Sequence, residues 1–217
     1  MFRFNRTLLL GLTLGLFVVF WHPDVLQMVF ARTDYKTNTP LTTTPLDATY
    51  QRSEVMVKIP DLVLTNQHAG EGSLRKLVDT SDLVAVNFIF TSCPTVCPVF
   101  SATFAELQRS LDLERIGLRL VSVSIDPAQD TPERLKSYAE KFQAGLEWQF
   151  LTGRVKDIDA VLRAFDAYRG EKMNHPQVVF LHRRDSGTWI RLDGLASPEA
   201  ITAELTQLSK SVEDFPQ

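Results

Sequence analysis

Apolar residues come in short blocks along the chain, and the spacing inside the blocks alternates between two periods. Leu83–Phe90 (LVAVNFIF) is nearly continuous, as in a central strand covered on both faces. Phe100, Phe104, Leu107 and Leu111 then recur at helical spacing, which predicts a helix running to about Leu113. Leu118–Ile125 is a second β-type run. Asp130-Thr131-Pro132-Glu133 reads as a capped helix start, with the helix ending near Phe142. Trp148–Leu151 predicts a short strand and Val155–Phe165 a helix. Val178–Leu181 and Trp189–Leu192 form a hairpin pattern turning at Asp185-Ser186-Gly187. Ser197-Pro198-Glu199 opens a last helix, with Ser at the cap and Pro at the first turn. Earlier in the chain, Met56–Ile59 and Leu62–Leu64 are strand candidates around Pro60-Asp61, and Ser73–Val78 predicts a short helix. Strands alternating with helices imply a layered α/β sheet.

The N-terminal pattern differs. Arg3 and Arg6 precede an uncharged run from Thr7 to Trp21, the form of an export signal. As a helix this run covers about 22 Å, short of the roughly 30 Å hydrocarbon core, which favours a signal peptide. Val29-Phe30-Ala31 offers small residues at a cleavage spacing, whereas apolar Val25–Ala31 and the His22-Pro23-Asp24 break leave an uncleaved anchor open. A buried core helix would need a polar face, and the run has none. Residues 32–54 are rich in Thr and Pro without apolar periodicity and read as a tether. The expected layout is residues 1–31 as signal or anchor, 32–54 as linker and 55–217 as one α/β domain. Either export reading places that domain outside the cytoplasmic membrane.

Composition narrows the function. The chain has 217 residues, 44% hydrophobic and 23% charged, with a net charge of −3, so no basic excess points to nucleic acid. Two cysteines exclude a four-Cys zinc site and a disulfide-stapled mini-protein.

Those two are the sharpest feature. Cys93 and Cys97 stand where an apolar strand gives way to a helix, and a helix N-terminus favours thiolate over thiol. A four-residue spacing puts two sulfurs on one face, about 5–6 Å apart at Cβ. They can share a soft metal ion such as Cu(I), and an added imidazole would also suit Cu(II). With modest distortion the pair can instead close a disulfide and act as a redox pair. A static disulfide or two packed thiols is the structural alternative, although so short a loop contributes little stability. A peroxidatic cysteine wants a nearby cation, and no Arg or Lys lies between Thr80 and Gln108. Among the histidines, His22 lies in the export segment, and His68 and His182 read as solvent-facing. His175 ends a long polar loop just before the strand at Val178, where it can reach the cysteine edge of the sheet. Asp126 and Asp130 read as a strand-end turn and a helix cap, with support of the site or an interaction role as the alternative.

Three segments together are similar to one family. Phe88–Pro98 (FIFTSCPTVCP), Val123–Glu133 (VSIDPAQDTPE) and Trp148–Gly153 (WQFLTG) resemble, in this order, signatures of the Sco/SenC family, and His175 falls where that family keeps a histidine. The resemblance covers roughly residues 55–208. It implies a thioredoxin-like fold, a central mixed β-sheet flanked by helices, held at the periplasmic side of the membrane by the N-terminal segment. It implies copper, as Cu(I) or Cu(II), bound by Cys93, Cys97 and His175. It further implies a monomer that exchanges copper with other copper chaperones and with a respiratory enzyme subunit, the copper centre of cytochrome c oxidase. A thiol–disulfide oxidoreductase that keeps partner cysteines reduced for metallation is the alternative. The chain departs from the family pattern in carrying Thr95 and Asn174 where members often carry Asp, and Pro176 after the histidine. The proline biases His175 to extended backbone, and a cis bond of the thioredoxin kind is open there.

Overall fold

The computed structural model describes residues 50–210. The Thr7–Trp21 run, His22 and residues 32–49 of the expected tether lie outside the described residues. Among the described residues no helix is long and apolar enough to cross a membrane.

One eight-stranded sheet organises the chain, in the spatial order β1-β8-β7-β4-β5-β6-β2-β3. At its centre are β4 (Leu83–Ile89), β5 (Leu118–Ser124) and β6 (Trp148–Thr152), mutually parallel. Antiparallel β7 (Val178–Arg183) flanks β4, followed by antiparallel β8 (Trp189–Gly194) and β1 (Tyr50–Val55). On the far side β2 (Val63–Asn66) pairs antiparallel with β6 and with β3 (Glu71–Ser73).

The continuous apolar runs are explained by burial on both faces. In β4, Leu83, Ala85 and Ile89 face one core with α2 (Val96–Ser110), α3 (Pro132–Lys141) and α5 (Pro198–Lys210). Val84, Val86 and Phe88 face a second core with α1 (Leu74–Thr80) and α4 (Val155–Ala164). Two of the helices start where the sequence predicts, because polar side chains cap them. Ser73 Oγ accepts the Lys76 N–H in α1 and Ser197 Oγ the Ala200 N–H in α5.

Three local expectations change. Tyr50–Glu54, read as tether, are strand residues, because β1 pairs with β8 over six positions and Arg52 reaches Glu204 of α5 at 2.9 Å. As an edge strand β1 is mostly exposed, so it shows no hydrophobic alternation. Met56–Ile59, read as a strand, has no sheet partner, and Met56 is 85% exposed. The cap of α3 is Thr131, whose Oγ1 accepts the Arg134 N–H, rather than Asp130.

Candidate functional site

The topology carries two distant loops to one edge. The loop after β4 holds the cysteines, and β7 runs antiparallel to β4 with Asn87 opposite Val179. The segment entering β7 therefore lies at the end where β4 finishes. That segment carries His175.

Both cysteines are free thiols and both are buried. Cys97 lies in the first turn of α2, whose cap residue, Thr95, makes no side-chain capping bond. The Cys93 sulfur takes that place, accepting the Cys97 N–H at 3.4 Å, with Thr95 Oγ1 4.0 Å away. Burial opposes charge on Cys93, but the N–H groups of Cys97, Thr95 and Val96 outweigh it and hold the thiol below its ordinary value. Burial pushes Cys97 the other way, well above its ordinary value, with the Cys93 sulfur and the Asp130 charge adding to the rise. Thiolate is thus more accessible at Cys93 than at Cys97.

His175 faces the second sulfur, with Nε2 3.8 Å from Cys97 Sγ. Its Nδ1 lies 2.8 Å from the Lys172 carbonyl, which can only accept, so Nδ1 carries the proton and Nε2 presents its lone pair to the thiol. Burial lowers the imidazole pKa, partly offset by that carbonyl bond, which keeps the ring neutral and available as a donor. The ring packs edge-on against Phe90, with centroids 5.6 Å apart. His175 has extended backbone (φ −61°, ψ 142°), as Pro176 demands, but no peptide bond among the described residues is cis, so the proline does not take the thioredoxin-type geometry.

The loop after β5 contributes two residues that the sequence pattern assigned to turn chemistry. Asp130 is fully buried and accepts hydrogen bonds from the Thr91 N–H (3.1 Å), the Thr91 hydroxyl (2.6 Å) and the Ser124 hydroxyl (2.7 Å). It fixes the backbone two residues before Cys93. Asp126 forms an ion pair with Lys172 at 2.6 Å. The local sequence offers such roles only as the alternative, since a D-x-x-x-D-T-P segment already looks complete as a turn and cap.

The other histidines lie elsewhere. His68 is exposed, as expected. His182, expected to face solvent, is buried, because β7 lies inside the sheet and its ring stacks on Trp189 at 4.3 Å. Its register partner is Val84, at the opposite end of β4 from the cysteines.

Two sulfurs and one imidazole nitrogen suit a soft ion, copper above the harder divalent metals. As the side chains stand, no group of three His, Cys, Asp or Glu among the described residues is gathered closely enough to hold an ion, and the Cys93 sulfur is turned to the Cys97 N–H. The same pair is also arranged for thiol–disulfide exchange, with the more acidic thiol beside a less acidic one.

A thioredoxin-like sheet carrying a dithiol at a helix start opposite a histidine loop defines the class. The SCO1/SenC family model matches residues 61–210, so the chain belongs to that family. The "SCO1 protein homolog" of Bacillus subtilis is 35% identical over 125 residues, 56% of this chain and 64% of that protein. The chain thus spans less than two thirds of this relative. Among solved structures, BsSco, described as having a disulfide switch and as a member of the Sco family of cytochrome c oxidase assembly proteins, superposes with a TM-score of 0.60. It is 26% identical and covers 72% of this chain and 96% of its own. Bradyrhizobium japonicum ScoI, solved with copper bound, has a TM-score of 0.58 at 23% identity, covering 71% and 99%. At that identity it shows the shared fold.

Proposed function

We propose that this protein is a copper carrier: Cys93, Cys97 and His175 bind one copper ion and pass it to a respiratory enzyme, the copper centre of cytochrome c oxidase. The observation that carries the reading is the placement of the His175 Nε2 lone pair 3.8 Å from Cys97 Sγ, across 78 residues of chain. An imidazole with its second nitrogen fixed by a carbonyl is the usual state of a metal-binding histidine. Binding Cu(I) would release the Cys97 proton, which makes affinity rise with pH. Family membership supports the same reading. The basic start and apolar run at Arg3–Trp21 support a domain tethered or exported at the outer face of the cytoplasmic membrane.

The test is copper stoichiometry on the purified full chain, reduced and loaded without oxygen. About one ion per chain is expected. Cys93→Ala or Cys97→Ala should abolish binding, and His175→Ala should weaken it at least tenfold, as loss of one of three donors does. Full copper retention by the double cysteine variant would sink the carrier reading.

A second reading, a thiol–disulfide oxidoreductase acting on the copper acceptor, is favoured by the split between the two cysteines. The Cys93 thiolate attacks a partner disulfide and forms a mixed disulfide, releasing one partner thiolate. Cys97 gives up its proton, attacks the Cys93 sulfur and releases the second partner thiolate, so two electrons pass from the pair to the partner. Reduction of a disulfide-bonded acceptor peptide by the metal-free protein, lost in Cys93→Ser and kept in His175→Ala, is the expected outcome. No reduction by the wild type would remove this role.

A further inference from the structure

We infer that the Lys172–Asp126 ion pair is the positioning device that holds the His175 imidazole against Cys97. Lys172–Asn174 form a single turn of 3-10 helix and His175 follows it. In that geometry side chains three apart eclipse, so Lys172 and His175 leave the turn on the same side. Both reach the body of the protein there. Lys172 Nζ meets Asp126 Oδ2 at 2.6 Å and lies 5.4 Å from the centre of the Phe90 ring, which packs nearly perpendicular to the His175 ring. The Lys172 carbonyl also accepts the Nδ1 proton, so one residue sets both the place and the tautomer of the ring.

Little else ties this segment down. Among the described residues, the hydrogen bonds and ion pairs that leave residues 170–176 are Lys172 to Asp126 and His175 to Cys97. The other bonds in the segment are local backbone ones, Glu171 to Arg169, Asn174 to Glu171 and His175 to Lys172. Behind it lies a cleft of about 430 Å3 bordered by Pro127, Leu162 and Tyr168, which leaves the loop room to swing away. The anchor on the other side is stiff. The Asp126 N–H donates to Ser124 Oγ at 3.1 Å, and its carbonyl accepts the N–H groups of Gln129 and Asp130. The Lys172 end of the pair is open to solvent, so the pair contributes little to global stability. Its effect therefore falls on the position of His175 rather than on folding.

The test compares wild type with Lys172→Met, Asp126→Asn and the reversed pair Asp126→Lys/Lys172→Asp. The first readout uses the metal-free protein: the rate at which diethyl pyrocarbonate modifies His175, read by peptide mass, with exposed His68 as internal reference. A several-fold faster reaction at His175 in each single variant, an unchanged rate at His68, and recovery in the reversed pair are expected. The second readout is Cu(I) affinity, which should fall about tenfold in the single variants, within the range for partners that orient a metal-bound histidine. That loss should vanish when His175 is already Ala. Wild-type modification rates in both single variants would overturn the proposal. The affinity readout rests on the copper reading above and the modification readout does not. A protein that binds no copper would refute that reading, while the modification rates would still decide the positioning role.

Discussion

Cys93 and Cys97 are chemically unlike although they stand four residues apart. Cys93 lies before the first turn of α2 and collects backbone N–H groups, whereas Cys97 is sealed in the core with Phe100 and Phe104. The difference fits either proposed chemistry, because a thiolate both initiates exchange and leads metal capture. What keeps Cys93 in place is the contact between Asp130 and Thr91. Asp130→Ala would leave the Thr91 N–H, the Thr91 hydroxyl and the Ser124 hydroxyl without their acceptor in a buried setting. Each such group costs roughly 1–3 kcal/mol, so the variant should be about 3 kcal/mol less stable, read from the urea midpoint. It should also bind copper more weakly than wild type. A loss under 0.5 kcal/mol would show that the loop does not depend on this carboxylate.

The elements divide the work. Parallel β4 and β5 end at the same edge and deliver the cysteine loop and the Asp126–Asp130 loop, and antiparallel β7 enters from that edge with His175 behind it. The loop after β5 grips both of its neighbours, Thr91 through Asp130 and Lys172 through Asp126. β1 serves the opposite flank. Its six positions pair with β8, and Arg52 meets Glu204, a nearly buried carboxylate on α5. Removing residues 1–55 should therefore destabilise the domain by about 2–3 kcal/mol, since a strand ladder is lost and a buried charge is left alone. A chain starting before Tyr50 should keep wild-type stability. Equal thermal midpoints for the two truncations would contradict the strand assignment.

For the whole molecule, the buried titratable groups shape stability against pH. Burial lowers the pKa of His175 and His182 below their ordinary 6.5. The unfolded chain thus takes up protons that the native state refuses. The contribution of these rings is complete above pH 6.5 and is lost as pH falls below it. Cys97 has the opposite sign, because its raised pKa makes the native state hold a proton that the unfolded chain releases above its ordinary 9.0. That contribution is complete below pH 9.0 and is lost as pH rises, with the smaller opposite shift of Cys93 offsetting part of it. Denaturant midpoints of the metal-free protein should plateau between these limits and fall on both sides. His182→Asn should flatten the acid limb and Cys97→Ala the alkaline one. Unchanged limbs in both variants would show that other groups govern the profile.

Periodicity and capping chemistry are local, so the sequence alone determined most of the elements, the two-core reading of β4 and the placing of a dithiol at a helix start. Spacing along the chain predicted one helix face for Cys93 and Cys97, whereas α2 begins at Val96 and Cys93 precedes it. Three matters were left to the tertiary structure. The meeting of His175 with Cys97 depends on β7 running antiparallel beside β4, and no local pattern encodes which strands become neighbours. The roles of Asp126 and Asp130 depend on Lys172 and Thr91, each about 40 residues away in sequence. β1 and the burial of His182 depend on sheet partners, because an edge strand has no hydrophobic alternation and a ring stacked on Trp189 carries no sequence signature. Short-range sterics and hydrogen bonding fix what each segment becomes, and only chain-wide packing fixes what each segment touches.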